Sequence, residues 1–139
     1  MTTVVKVVDA IRKLVAKSYG SGDVVKCAAG IMKEDSDDLG EDVLLAFRYT
    51  IDELGTGAAS KKDKSKRKEE EKNAEMLQLL NFGTDLALFM TEDGVVGASR
   101  IPYEIIETFL DEHSVEQIAA LWSGIESLLD KLMNPLIFK

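Results

Sequence analysis

The sequence predicts an all-α protein, an irregular bundle of five or six helices with a long disordered loop near its middle. Three observations indicate this class. Apolar residues recur at steps of three and four in several segments, which is the spacing of one helix face. Glycine, proline and polar stretches separate those segments. Residues 55–72 contain no apolar side chain larger than alanine, so they cannot bury a face.

The first helix is predicted over residues 3–18, because its apolar side chains fall on one face. These are Val4, Val8, Ile11 and Val15. Its β-branched residues would suit a strand too, but the pattern runs beyond ordinary strand length. A second helix is predicted through about Met32, with Asp23 as its N-cap. Its predicted buried face holds Val24, Cys27, Ala28 and Ile31.

A polar connection, Glu34–Asp42, leads to a third helix that is predicted to end at Gly55. Its apolar face is Val43, Leu44, Phe47, Ile51 and Leu54. After the loop, a long apolar-rich helix is predicted to begin near Asn73. Gly83 lies inside that helix, where glycine costs about 1 kcal/mol against alanine unless a neighbouring helix needs the close approach.

The segment Ile101 to Leu132 predicts a helical hairpin after a loop at residues 91–100. Pro102 suits a first helical position, and Ser114 with Gln117 forms a Ser-x-x-Gln capping box that starts the last helix. The apolar set of that helix is Ile118, Leu121, Trp122, Ile125, Leu128, Leu129 and Leu132.

The predicted division of the chain has three parts. Residues 1–54 form the amino-terminal helices, residues 55–72 a flexible charged loop, and residues 73–139 the helices that complete the same domain. Pro135 is predicted to end the last helix, and the apolar residues that follow it suggest the start of a further helix in a longer protein.

Composition limits the classes of function. The chain has 139 residues, 45% of them hydrophobic and 30% charged, which is typical of a soluble globular protein. No apolar run approaches the roughly 20 residues of a membrane span, and no signal peptide is evident, so we expect an intracellular protein without a membrane partner. Cys27 is the only cysteine, which excludes an internal disulfide.

Charge argues against direct binding of nucleic acid. The net charge is −8, while residues 61–72 carry seven basic and four acidic side chains, a local +3, which leaves −8 − 3 = −11 elsewhere. A strongly acidic body repels phosphate backbones. We therefore expect contact with RNA only through partner proteins.

Residues 35–46 resemble part of a calcium-binding loop. Asp35, Asp37 and Gly40 fall at the first, third and sixth positions of such a loop. Leu39 and Ala46 stand where two further acidic ligands belong, so a solvated connection between helices is the favoured interpretation.

Other short patterns have plain interpretations too. The GVVG stretch at 94–97 resembles the GxxG loop of KH modules but lacks a basic residue, so a turn is favoured. His113 is predicted to be exposed in a turn, with no second histidine to complete a zinc site or a triad. Cys27 is predicted to be a small core residue. We therefore predict no enzyme, cofactor, metal site or small-molecule substrate.

Two features are candidates for contacts with other molecules. One is a basic cluster in the loop, Lys61, Lys62, Lys64, Lys66, Arg67 and Lys68. It suits a nuclear-localisation or tether signal and a solvated charge run equally well. The other is Trp122, the only tryptophan. Core packing is favoured for it, and the alternative is an anchor for a partner, a role in which tryptophan is enriched.

Three stretches together resemble one protein family. They are LLAFRYTIDEL (Leu44–Leu54), MLQLLNFGTDLAL (Met76–Leu88) and the hairpin Ala98–Leu132, in which Trp122 and Glu126 take the places of a Phe-x-x-x-Glu pattern. They are similar to the amino-terminal region of the THO complex subunit one family. That family is the largely helical scaffold subunit of a nuclear complex that couples transcription to messenger-RNA export.

The resemblance implies a non-catalytic scaffold segment of a nuclear THO/TREX-type complex. Its partners would be the other subunits, in particular a large helical one, and its functional contacts would be between proteins. The insertion at 55–72 is not a signature of the family. An unrelated cytosolic α-helical adaptor, in which the basic loop is only a linker, is the alternative.

Overall fold

The computed structural model describes residues 2–15, 19–56 and 66–133, with side chains described for 3–15, 19–54 and 70–133. Within these ranges the chain forms α-helices and one 3-10 turn, Ala98–Arg100, and no strand. The helices are α1 (Thr2–Val15), α2 (Ser21–Met32), α3 (Leu39–Thr56), α4 (Lys66–Glu92), α5 (Ile101–Glu112) and α6 (Val115–Met133). The predicted all-α bundle is confirmed.

The longest helix, α4, lies at the centre of the bundle and contacts α1, α2, α3, α5 and α6. A helix with neighbours on several sides needs apolar side chains on several faces. Its buried residues accordingly do not keep to a single stripe: Met76, Leu79, Leu80, Phe82, Leu86, Ala87 and Met90. The core is therefore organised around α4.

Gly83 allows two helices to approach α4 closely. A Cβ atom at this position would lie 2.6 Å from Cδ1 of Ile105 in α5 and 3.0 Å from Cε1 of Phe47 in α3. Both neighbours are fully buried. The sequence allowed for glycine here if a neighbouring helix comes close, and the structure shows such an approach. Packing therefore offsets the loss of helix propensity at Gly83.

The beginning of α2 differs from the prediction in the role of Asp23. The N-cap is Gly20, and Asp23 is the third helical residue, so the prediction that Asp23 is the cap was wrong. Its carboxylate accepts a hydrogen bond from the backbone N–H of Gly20 at 2.9 Å. An acidic residue at the third position satisfies the N–H of the cap residue, as in a capping box.

Helix α3 begins inside the stretch predicted to be a polar connection. Asp38 caps it, with Oδ1 accepting from the N–H of Glu41 at 3.1 Å. The hydroxyl of Ser36 also donates to Asp42. Capping by a polar side chain thus extends the helix back to Leu39.

Helices extend into both ends of the predicted charged loop, residues 55–72. Helix α3 continues to Thr56, and α4 begins at Lys66 rather than near Asn73. Lysine, arginine and glutamate are good helix formers, so this polar stretch can be helical without an apolar face. Residues 57–65 of the predicted loop lie outside the described residues, as do 16–18 and 134–139.

The turn between the last two helices agrees with the prediction. The N–H of Gln117 donates to Oγ of Ser114 at 3.3 Å, and the N–H of Ser114 donates to Oε1 of Gln117 at 3.4 Å. Pro102 lies in the first turn of α5. Among the described helices, none is both long and apolar enough to pass through a bilayer.

Candidate functional site

Trp122 lies on the surface of α6. Its side chain is 43% exposed, so the favoured interpretation of core packing was wrong. The residues of α6 that enter the core are Leu121, Ile125 and Leu128, while Ile118, Leu129 and Leu132 are partly buried against it. The seven apolar residues of the predicted face are too many for one contact, and Trp122 lies at the outer edge of that set.

Helix α6 packs on α4 and runs parallel to it. Near its middle, a Cβ atom at Gly124 would lie 2.5 Å from the side chain of Leu77, so a larger residue there would require that side chain to move. Seven residues further along α6, Nζ of Lys131 lies 3.4 Å from Oδ1 of Asp85. These contacts fix which side of α6 faces the bundle.

Beside the buried face of α6, a row of residues follows alternating steps of four and three. We call this row the α6 seam, and it consists of Val115, Ala119, Trp122, Glu126, Leu129 and Met133. Val115 is 78% exposed and Met133 is 73% exposed. This spacing is the one by which a helix packs along a second helix. The α6 seam therefore has the spacing of a surface that packs against another helix. Its residues Val115, Trp122 and Met133 are exposed among the described residues.

The α6 seam is acidic. Glu126 lies within it, Asp130 lies beside it, and Glu116 lies near its first turn; all three are exposed. No ion pair between described residues involves Glu116 or Glu126. The only basic residue of α6, Lys131, is directed to Asp85. The seam thus combines an exposed tryptophan with carboxylates that can attract cations.

His113 is half-buried, which corrects the prediction of an exposed histidine. Its Nδ1 lies 2.9 Å from the carbonyl oxygen of Phe109, and the two rings are 4.4 Å apart between centroids. The histidine ends α5 by binding one of its last carbonyls. Its Nε2 is buried and has no hydrogen-bond partner among the described residues.

Cys27 lies half-buried between α1 and α2, which is less buried than the sequence predicts. Burial raises the pKa of its thiol to about 11. A thiol with a raised pKa is mostly protonated at neutral pH and is a poor nucleophile. Cys27 is thus a packing residue with a weakly reactive thiol.

Two carboxyl groups meet where α3 and α5 end. Burial, followed by the charge of Asp52 and a hydrogen bond with it, raises the pKa of the Glu112 side chain. Asp111 also raises this pKa, and His113 lowers it. Within the described residues, no three His, Cys, Asp or Glu side chains are grouped so that they could hold a metal ion.

The calcium-like and KH-like stretches have local structural roles. Asp38, inside the former, caps α3, while Asp35 and Asp37 are exposed. In the latter, Gly94 and Gly97 have φ values of 86° and 83°. A positive φ is readily adopted only by glycine, so these residues form the turn that follows α4.

A cleft of about 450 Å³ lies between the start of α2 and the end of α4. It is lined mainly by Tyr19, Val24, Asp85, Phe89 and Glu92. The Tyr19 hydroxyl donates to Oδ2 of Asp85 at 3.4 Å, and burial together with this carboxylate raises the pKa of the tyrosine. Both polar groups are thus engaged with each other, and Asp85 also holds Lys131.

The predicted basic cluster is only partly described. The backbone of Lys66, Arg67 and Lys68 forms the first turn of α4, and their side chains lie outside the described set. Lys61, Lys62 and Lys64 fall in residues 57–65, outside the described residues. The cluster as an import or tether signal stays a prediction.

Comparison of the chain with models of protein families, with curated proteins and with solved structures finds no match.

Proposed function

We propose that the chain is a non-catalytic scaffold segment that binds another helical protein through α6. The observation that carries this proposal is the exposed Trp122 within the α6 seam. Tryptophan is enriched among the residues that dominate binding energy at interfaces, and a helical row of apolar residues is a common docking surface.

We further propose that the assembly is a nuclear complex of the THO/TREX type. The support is the resemblance of three stretches to that family, and these stretches lie on α3, on α4 and on the hairpin of α5 and α6. The acidic net charge of −8 supports contact with RNA through partner subunits rather than through this chain.

Affinity purification of the tagged full-length protein from nuclear extract tests this function. We expect the other THO subunits to be recovered with the wild-type protein. Trp122→Ala is expected to lower their recovery several-fold, because it removes the largest exposed apolar side chain of the seam. Tyr103→Ala is the matched control, since Tyr103 is an exposed aromatic residue on α5. Recovery of no THO subunit with the wild-type protein would contradict the assignment to this complex.

The nuclear location rests on the basic cluster and is tested separately. Residues 61–72 fused to a cytoplasmic reporter are expected to move it into the nucleus if Lys64–Lys68 bind an import receptor. Replacing the basic residues of the fused segment with glutamine provides the control. A reporter that stays cytoplasmic would favour the alternative of a cytosolic adaptor with a charged linker.

A further inference from the structure

The α6 seam has a charge that selects its partner. We propose that the seam docks a basic amphipathic helix of another protein, with a lysine or arginine of that helix opposite Glu126. This proposal rests on the proposed scaffold function and adds the chemistry of the partner.

The spacing of the seam indicates a helix as the occupant. Its six positions alternate in steps of four and three, which is the pattern by which two helices pack side by side. Exposed apolar side chains lie at both ends of the row and in its middle, at Val115, Trp122 and Met133. An extended peptide would not match this periodicity, because its side chains repeat every second residue.

Glu126 sets the sign of the partner's charge. It lies within the seam, one helical turn after Trp122, so a docked helix would cover it. A carboxylate taken out of water needs a cationic or hydrogen-bonding partner, and Glu126 has no ion pair among the described residues. A lysine or arginine on the docked helix would supply that partner.

The same charges disfavour a second copy of this chain. A parallel pair of seams would place Glu126 against Glu126 of the other copy. An antiparallel pair, with Val115 opposite Met133, would place Glu126 beside Trp122 of the other copy, where the carboxylate would be covered without a cationic partner. Like charges at an interface are repulsive, and the net charge of −8 adds repulsion between whole molecules.

Two synthetic helical probes of about 20 residues, close to the length of α6, test the proposal. Both have leucine and alanine along one face and contain no tryptophan. The basic probe has a lysine within that face and lysines along its edges, and the acidic probe has glutamate in those places. Trp122 is the only tryptophan of the chain, so its emission reports docking directly.

We expect the basic probe to shift Trp122 emission to shorter wavelength in a saturable way, and the acidic probe to leave it unchanged. Glu126→Lys is expected to weaken the basic probe about tenfold and to allow the acidic probe to bind. Added salt weakens the basic probe. Glu107→Lys, an exposed position on α5, is the matched control and is expected to change affinity less than about twofold.

Several results would overturn the proposal: no shift with either probe, equal shifts with both, or unchanged affinity in Glu126→Lys. A dimer in sedimentation that dissociates on Trp122→Ala would assign the seam to a second copy. A free chain whose emission moves to longer wavelength when residues 134–139 are deleted would assign it to the chain's own end. Glu126 is exposed, so circular dichroism is expected to show an unchanged fold for the lysine variant.

This outcome is separable from that of the scaffold function. Docking of the basic probe without recovery of THO subunits would support the proposed docking site and contradict membership of a THO-type complex. Full recovery of THO subunits by Glu126→Lys, with no binding of the basic probe to the wild type, would leave the complex and reject the seam.

Discussion

At the scale of single residues, glycine determines how closely the helices approach. Gly83 lies where α3 and α5 both meet α4, and Gly124 lies where α6 meets Leu77. Gly30, in contrast, has no atom within 4 Å of the place where a Cβ would stand. Gly30, Gly83 and Gly124 all lie inside helices, and only the packing distinguishes their roles.

Gly83→Ala is expected to lower the free energy of unfolding by about 1–3 kcal/mol, because its methyl group would overlap Ile105 and Phe47. Gly30→Ala is the matched control and is expected to raise it by about 0.5–1 kcal/mol through helix propensity. Urea denaturation of both variants measures the difference. Equal stabilisation by the two substitutions would mean that Gly83 does not set the spacing of the helices.

Residue identity predicted the buried side chains better than the exposed ones. Val24, Ala28 and Ile31 are buried as expected, because a short helix with one apolar stripe has only one way to face the core. Trp122 was misplaced because α6 has a broad apolar set. Which part of such a set is buried depends on where α4 lies, and the sequence of α6 does not contain that information.

At the scale of helices, capping residues explain several of the boundaries. Asp38 begins α3, and Ser114 with Gln117 begins α6. The Ser-x-x-Gln pattern was recognisable in the sequence because both partners of the box are local. The start of α4 was not, since its first residues are charged and helical by propensity, and periodicity detects only amphipathic segments.

Ser114→Ala is expected to lower the free energy of unfolding by about 1 kcal/mol, because the N–H of Gln117 would lose its hydroxyl acceptor. Ser123→Ala provides the comparison on the same helix, where an exposed serine is replaced by the better helix former. Thermal melting measures both. A loss of the same size in the two variants would show that the hydroxyl of Ser114 does not act as a cap.

At the scale of the whole molecule, the charges of separate helices act on one another. The chain has a net charge of −8, and Arg12 with Glu53, Arg48 with Glu104 and Arg100 with Glu41 join different elements. These pairs are exposed or half-buried, so each contributes little alone. The contact between Asp52 of α3 and Glu112 of α5 has the opposite effect, because it brings two carboxyl groups together.

Glu112→Gln is expected to raise the free energy of unfolding at pH 7, because it removes a negative charge that faces Asp52. The gain is expected to be only a few tenths of a kcal/mol, since this carboxyl is largely exposed to solvent. The raised pKa means that the folded state holds the Glu112 proton more tightly than the unfolded state does. This contribution is therefore fully present at acid pH and is lost as the pH rises through the folded pKa. The gain from the substitution is expected to disappear below the ordinary glutamate pKa of about 4.3, where Glu112 is protonated in both the folded and the unfolded state.

Glu107→Gln, which removes an exposed carboxyl from the same helix, is the control. A gain from Glu112→Gln that stays constant between acid and neutral pH would contradict the interaction with Asp52.

The central position of α4 has a consequence for how the protein unfolds. Because α4 contacts all five other helices, none of them can leave the bundle without exposing part of it to water. Helices that depend on a common neighbour lose their support together when that neighbour is lost. We therefore expect one cooperative transition, in which the amides of α4 exchange with solvent last and its melting takes the entire bundle with it.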